Sequence, residues 1–178
     1  MRRFLISGII FILAVTGAMA QEGRPLELPL ELSPGISNDS ATALLMSRGA
    51  KLVMNRENNY DIDFSYADTP IKRIILVFLK SKLLSVSMFS NRTPNRELHV
   101  ARIRKTFEYI KDNYDCQIVE EKILSDGFLS ELDDGIELAS FSSTNFSLFL
   151  SSEFEPDDGY LLNIHIYSLP LILPPTSK

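Results

Sequence analysis

Any chemistry in this chain would have to come from two histidines, one cysteine, many serines and many carboxylates. His165 lies in LNIHIYS, an alternating stretch that places it beside hydroxyl and apolar neighbours. An imidazole next to a serine or a carboxylate is the minimum apparatus of a small hydrolase. The usual surroundings of such a pair are missing from the sequence. No G-x-S-x-G marks a nucleophile elbow, no H-E-x-x-H marks a zinc site, and no glycine-rich loop is set to hold phosphate. His99 opens a basic helical run and reads as a solvated helix residue. Two Asp-Asp-Gly triplets, at 133–135 and 157–159, lack the alternating oxygen ligands and distal glutamate of a calcium loop. They read as hairpin turns, where glycine accepts positive φ. No catalytic residue, metal ligand set or cofactor is therefore expected.

Cys116 stands alone, so no disulfide can form within the chain. Alternation places it on the side of Ile118, as a small buried hydrophobe. A domain of this size draws enough stability from its core to do without a disulfide.

The elements that would position these residues begin after an address segment. Arg2 and Arg3, the apolar FLISGIIFILAV and the small-x-small AMA form a signal peptide over 1–20, with cleavage after Ala20. The apolar run is short for a membrane span, and no transmembrane segment is expected in the mature form. The mature chain would be periplasmic or secreted. A leader over 21–36 carries Pro25, Pro29 and Pro34 and reads as extended. A single domain over 37–170 follows, then a proline-rich tail over 171–178.

Charge is unevenly placed. Residues 70–105 carry a net +8, whereas 106–178 carry −11. The mature chain is acidic overall, which argues against nucleic-acid binding. The polarity reads as solvated faces of opposite sign, or as a field that steers a charged partner.

Within the domain, Ser37 caps a helix over 38–48 whose Ala41, Leu44, Leu45 and Arg48 form one stripe. Gly49 is its stop. YDIDFSY alternates as a half-buried strand, IKRIILVFLK reads as a central strand, and LLSVSMFS returns beside it, with Leu84, Val86 and Met88 on one face and Leu83, Ser85, Ser87 and Phe89 on the other. Thr93 as N-cap and Pro94 at the first helical position open a second helix to about Asn113. Its stripe is Val100, Ile103, Phe107, Ile110 and Tyr114. Strands resume at 116–124, 135–142, 145–152 and 159–168. The fold expected is α+β: a two-layer sandwich with two helices on one face of an antiparallel sheet, built as tandem α-β-β-β halves.

The stretch PGIS…ALLMSRGAKL, then the hairpin ILVFLKSKLLSVSM and a long helix, resembles small exported α-β-β-β proteins. The architecture is similar to β-lactamase inhibitor protein-like domains and the BamE (SmpA-OmlA) lipoproteins. That resemblance implies a sheet that offers a surface to a partner protein. The chain departs from the pattern in lacking a lipobox cysteine, a disulfide and a G-x-P after the first helix.

Alternation divides the sheet. Ile62, Phe64, Val86, Leu148, Leu150, Leu162, Ile164 and Ile166 fall on the helix-covered face. Phe89, Phe141, Phe149, Asn163, His165 and Tyr167 fall on the other, among serines. Aromatics amid small polar residues suit protein recognition, since they bury much area at low entropic cost. The expected function is non-catalytic: an exported module that binds another envelope or secreted protein, or stabilises an envelope assembly. The alternatives are a small hydrolase using His165 and a carrier of a small apolar ligand.

Overall fold

The computed structural model describes residues 28–168, apart from 55, 124 and 126. The segments 1–20 and 171–178, and the leader as far as residue 27, lie outside the described residues.

The class is α+β. Eight antiparallel strands form one open sheet: β1 (Lys51–Leu52), β2 (Asn59–Tyr66), β3 (Thr69–Leu79), β4 (Lys82–Ser90), β5 (Gln117–Glu121), β6 (Ile136–Ser142), β7 (Phe146–Glu155) and β8 (Gly159–Ser168). Their order is β1-β2-β3-β4-β8-β7-β6-β5. Two hairpin chains thus meet at a central β4–β8 seam. The helices are α1 (Asn38–Ser47), α2 (Arg96–Asn113) and the single turn α3 (Phe128–Glu131). Among the described residues no helix is long and apolar enough to cross a membrane.

Local chemistry explains the boundaries. Ser37 caps α1 by accepting from the Ser40 amide at 3.2 Å. Gly49 ends it at φ +87°, where its amide and that of Ala50 take up the carbonyls of Met46 and Leu45. The β2–β3 and β3–β4 turns place Ala67–Asp68 and Lys80–Ser81 at positive φ, the twist that tight hairpins need. The described end of the leader lies on the domain. Leu28 and Leu32 join the core, and the Gly35 amide donates to the Leu83 carbonyl at 3.0 Å.

Helix α2 starts later than the Thr93-Pro94 pair predicts. Its cap is Asn95, whose Oδ1 accepts from the Leu98 amide at 2.9 Å. Thr93 is occupied elsewhere, exchanging two backbone bonds with Tyr160. Such a long-range bridge leaves no trace in local spacing.

One contiguous core joins the elements. Ala41 and Leu45 of α1, and Ile103, Phe107 and Ile110 of α2, are buried with residues of every strand from β2 to β8 except β5. Thr42 bonds the Tyr60 hydroxyl at 2.7 Å, and Thr106 bonds Thr69 at 3.1 Å. Phe107 packs on Phe141 at 5.4 Å and Tyr114 on Phe146 at 5.8 Å.

His99 corrects the sequence reading. It is fully buried, not solvated: its Nε2 lies 2.8 Å from Ser152 Oγ, and its ring stacks on Tyr160. Cys116 is half-buried against the core just before β5, while Ile118 is 45 % exposed. Burial, and then Asp115, push the Cys116 thiol up, which keeps it a poor nucleophile.

Candidate functional site

Paired residues in an antiparallel ladder share a face. The register therefore sorts every side chain. The inner face carries Tyr60, Ile74, Met88, Ile164 and Leu150 in one row and Leu76, Val86, Ile166, Leu148 and Phe141 in the next. Tyr60 and Phe141 are among the residues the helices touch.

The outer face has three central rows. The first runs Val77, Ser85, Tyr167, Ser147, Ser142. The second runs Asn59, Ile75, Ser87, His165, Phe149, Ser140. The third runs Lys51, Asp61, Arg73, Phe89, Asn163, Ser151, Glu137. Five of the six candidate residues thus come together: Phe89, Phe149, Asn163, His165 and Tyr167.

Phe141 does not join them. It is fully buried on the inner face against Phe107. A bulge between Glu137 and Ala139 adds one residue to β6 and flips everything after it. Ser140 takes the outer position instead. A similar irregularity between Val77 and Phe78 puts Leu83 in the core opposite Phe78, so Leu83, not Leu84, is the buried leucine.

The geometry around His165 is specific. Its Nδ1 lies 2.8 Å from Ser87 Oγ, and the Phe89 ring meets it edge-on at 6.0 Å. Burial holds the imidazole below its ordinary pKa, against the opposing pull of Glu153. Phe149 and Tyr167 meet edge-to-face at 5.8 Å, and burial raises the Tyr167 phenol. Asn163 is only 1 % exposed, and its Nδ2 donates to Glu153 Oε1 at 2.7 Å. It orients a carboxylate at this surface and offers little area of its own. Phe89, Phe149, His165 and Tyr167 are all half-buried.

The Ser87–His165 pair makes one contact that a hydrolase would use. Both residues sit mid-strand beside the seam, where the ladder engages backbone amides that would otherwise form an oxyanion hole. Two shallow clefts of about 440 and 270 Å³ lie elsewhere. One is lined by Arg96, Val100, Arg104 and Leu129, the other by Ser65, Asp68, Lys105 and Tyr109. Among the described residues no group of three His, Cys, Asp or Glu converges to hold a metal ion.

No protein-family model, curated protein or solved structure matches this chain.

Proposed function

We propose that this chain is an exported, non-catalytic protein-binding module, secreted or held in a cell envelope, that recognises its partner with the outer face of its sheet. One observation carries this reading: Phe89, Phe149 and Tyr167 stand together, half-buried, around His165, on the side opposite Tyr60 and Phe141. Rings in that setting gain area on binding and lose little entropy.

Two finer features of the architecture belong to the proposal. Both helices cover the inner face, which the Thr42–Tyr60 and Phe107–Phe141 contacts support. The chain is also a tandem of two halves, each a long helix followed by four strands where the α-β-β-β plan has three. A strand order that mirrors itself about the seam supports that, as does the resemblance to exported α-β-β-β proteins. The signal-like 1–20 segment supports export.

The hydrolase reading draws on the Ser87–His165 bond alone. A serine-reactive phosphonate tests it: labelling of Ser87 that disappears in His165→Ala would replace the binding proposal with an enzymatic one.

Site-specific photo-crosslinking in the producing cell tests the binding reading. A photoreactive residue at 149 should form protein adducts, and the same residue at Tyr109 on the helix side should not. No adduct from 149, or equal adducts from both, overturns the reading.

A further inference from the structure

We infer that the partner seated on the outer face is a second copy of this chain, packed sheet to sheet about a two-fold axis that runs along the strands over the β4–β8 seam. This rests on the protein-binding reading above and names its occupant.

Charge is the first argument. On the outer side, the β1–β4 half presents Lys51, Lys72, Arg73 and Lys82 against Asp61 and Asp63. The β5–β8 half presents Glu120, Glu137, Glu153 and Glu155, met by Arg92 and Lys122. One half is therefore net basic and the other net acidic, with the rings between them. A two-fold along the strands lays the net basic half of each copy on the net acidic half of the other; the like-charged overlap it also makes, Asp61 over Glu137, has Arg73 paired to Asp61 beside it. A two-fold across the strands would lay like on like. The charge pattern thus selects one axis out of two.

The rows give that axis apolar partners too. Ile75 lies one strand out from the seam on one side and Phe149 one strand out on the other, in the same row. The axis sets Ile75 of each copy over Phe149 of its mate, and Ser85 over Tyr167. These are the aromatic centre and charged rim of a self-complementary interface.

Area is the second argument. Eight strands at about 4.8 Å spacing, and central strands of about 30 Å, give a face of about 1,000 Å². A stable interface needs about 800 Å² from each partner. The sheet edges offer less. β1 has two residues, and β5 has five with a bulge and paired glutamates, so neither edge is a template for strand addition.

Sedimentation equilibrium of the mature chain tests the inference. The expected mass is twice that of the chain. Two charge-reversed variants sharpen the test: Lys51→Glu with Arg73→Glu, and Glu120→Lys with Glu137→Lys. Each should be monomeric alone, because both halves then carry one sign. Mixed, they should restore the double mass as a heterodimer. The ion pairs removed are exposed, so unfolding midpoints of the two variants should stay near the parent's. A monomeric parent overturns the inference, whether the face then binds another protein or is covered by residues 21–27 or 169–178. If that monomer still forms adducts to a different protein from position 149, the binding reading survives without the second copy. If it forms none, both fall. Variants that stay dimeric alone, or a mixture that stays monomeric, overturn the axis.

Discussion

His99 Nε2 and Ser152 Oγ meet at 2.8 Å inside the core, tying α2 to β7. The imidazole is fully buried beneath Tyr160, with ring centroids 5.1 Å apart. Burial first, and the nearby Arg102 second, lower its pKa to about 4. A group that resists protonation where it sits makes folding sensitive to pH.

The direction follows from linkage. Unfolded, His99 titrates near 6.5; folded, it titrates at about 4. As pH falls through 6.5 the unfolded chain binds the proton first. The stability is full above pH 6.5 and is lost as pH falls toward 4, by up to about 3 kcal/mol. His165, also lowered by burial, adds in the same direction. Urea unfolding at about pH 7.5 and about pH 5 should show the loss, and His99→Gln should remove much of it. An equal loss in parent and variant would assign the acid sensitivity to other groups.

Phe107 of α2 and Phe141 of β6 pack ring against ring, and both are at most 2 % exposed. Phe107→Ala and Phe141→Ala should each cost roughly 3–5 kcal/mol, as buried phenylalanines do. Glu108→Ala removes only an exposed pair with Lys111 and should cost little. Denaturation midpoints check this. Equal midpoints for Phe107→Ala and Glu108→Ala would mean that α2 turns a different side to the sheet.

Period explains what was legible in the sequence. Two apolar stripes and a set of apolar and alternating runs locate both long helices and seven of the eight strands; only the two-residue β1 has no counterpart. The misses occur where one residue breaks the period. The β6 bulge reverses Phe141, and the β3–β4 irregularity exchanges Leu83 for Leu84. Alternation counted from either side cannot register an inserted residue. His99 was available to a closer reading: it lies four residues before Ile103 and extends the same stripe, but its charged neighbours argue for solvent. The Thr93–Tyr160 bridge and the Ser87–His165 bond join residues 67 and 78 positions apart, which no local pattern records. The outer face was legible because β4, β7 and β8 keep strict alternation across the seam from Ser85 onward.

Gly159 opens β8 at φ +82°, and a Cβ there would run into the Thr93 carbonyl. That carbonyl accepts from the Tyr160 amide at 2.9 Å, so the backbones cannot separate without breaking the bridge that seats α2. Gly159→Ala adds this clash to the strain of a left-handed alanine. It should destabilise by more than about 2 kcal/mol, whereas Gly49→Ala, at φ +87° in open space, should cost about 1 kcal/mol. Thermal midpoints of the two variants decide it. Equal shifts would mean that the Thr93 contact relaxes freely.

Phe149 and Tyr167 separate a binding face from a second core. Both are half-buried, and each has the other as an edge-to-face neighbour. Their ladder partners on the outer face are Ser140 and His165 for Phe149 and Ser85 and Ser147 for Tyr167, not the packed leucines and isoleucines found beneath them. Truncating either ring therefore opens no closed cavity, and the cost that dominates Phe141→Ala does not arise. Phe149→Ala and Tyr167→Ala should leave the unfolding midpoint of dilute protein nearly unchanged. The same variants should lose association, because a ring at the centre of an interface carries more of its energy than a rim charge. Sedimentation and unfolding measured on the same preparations read both effects. If each variant instead loses several kcal/mol of stability with association intact, the outer face is internal packing and the binding surface lies elsewhere.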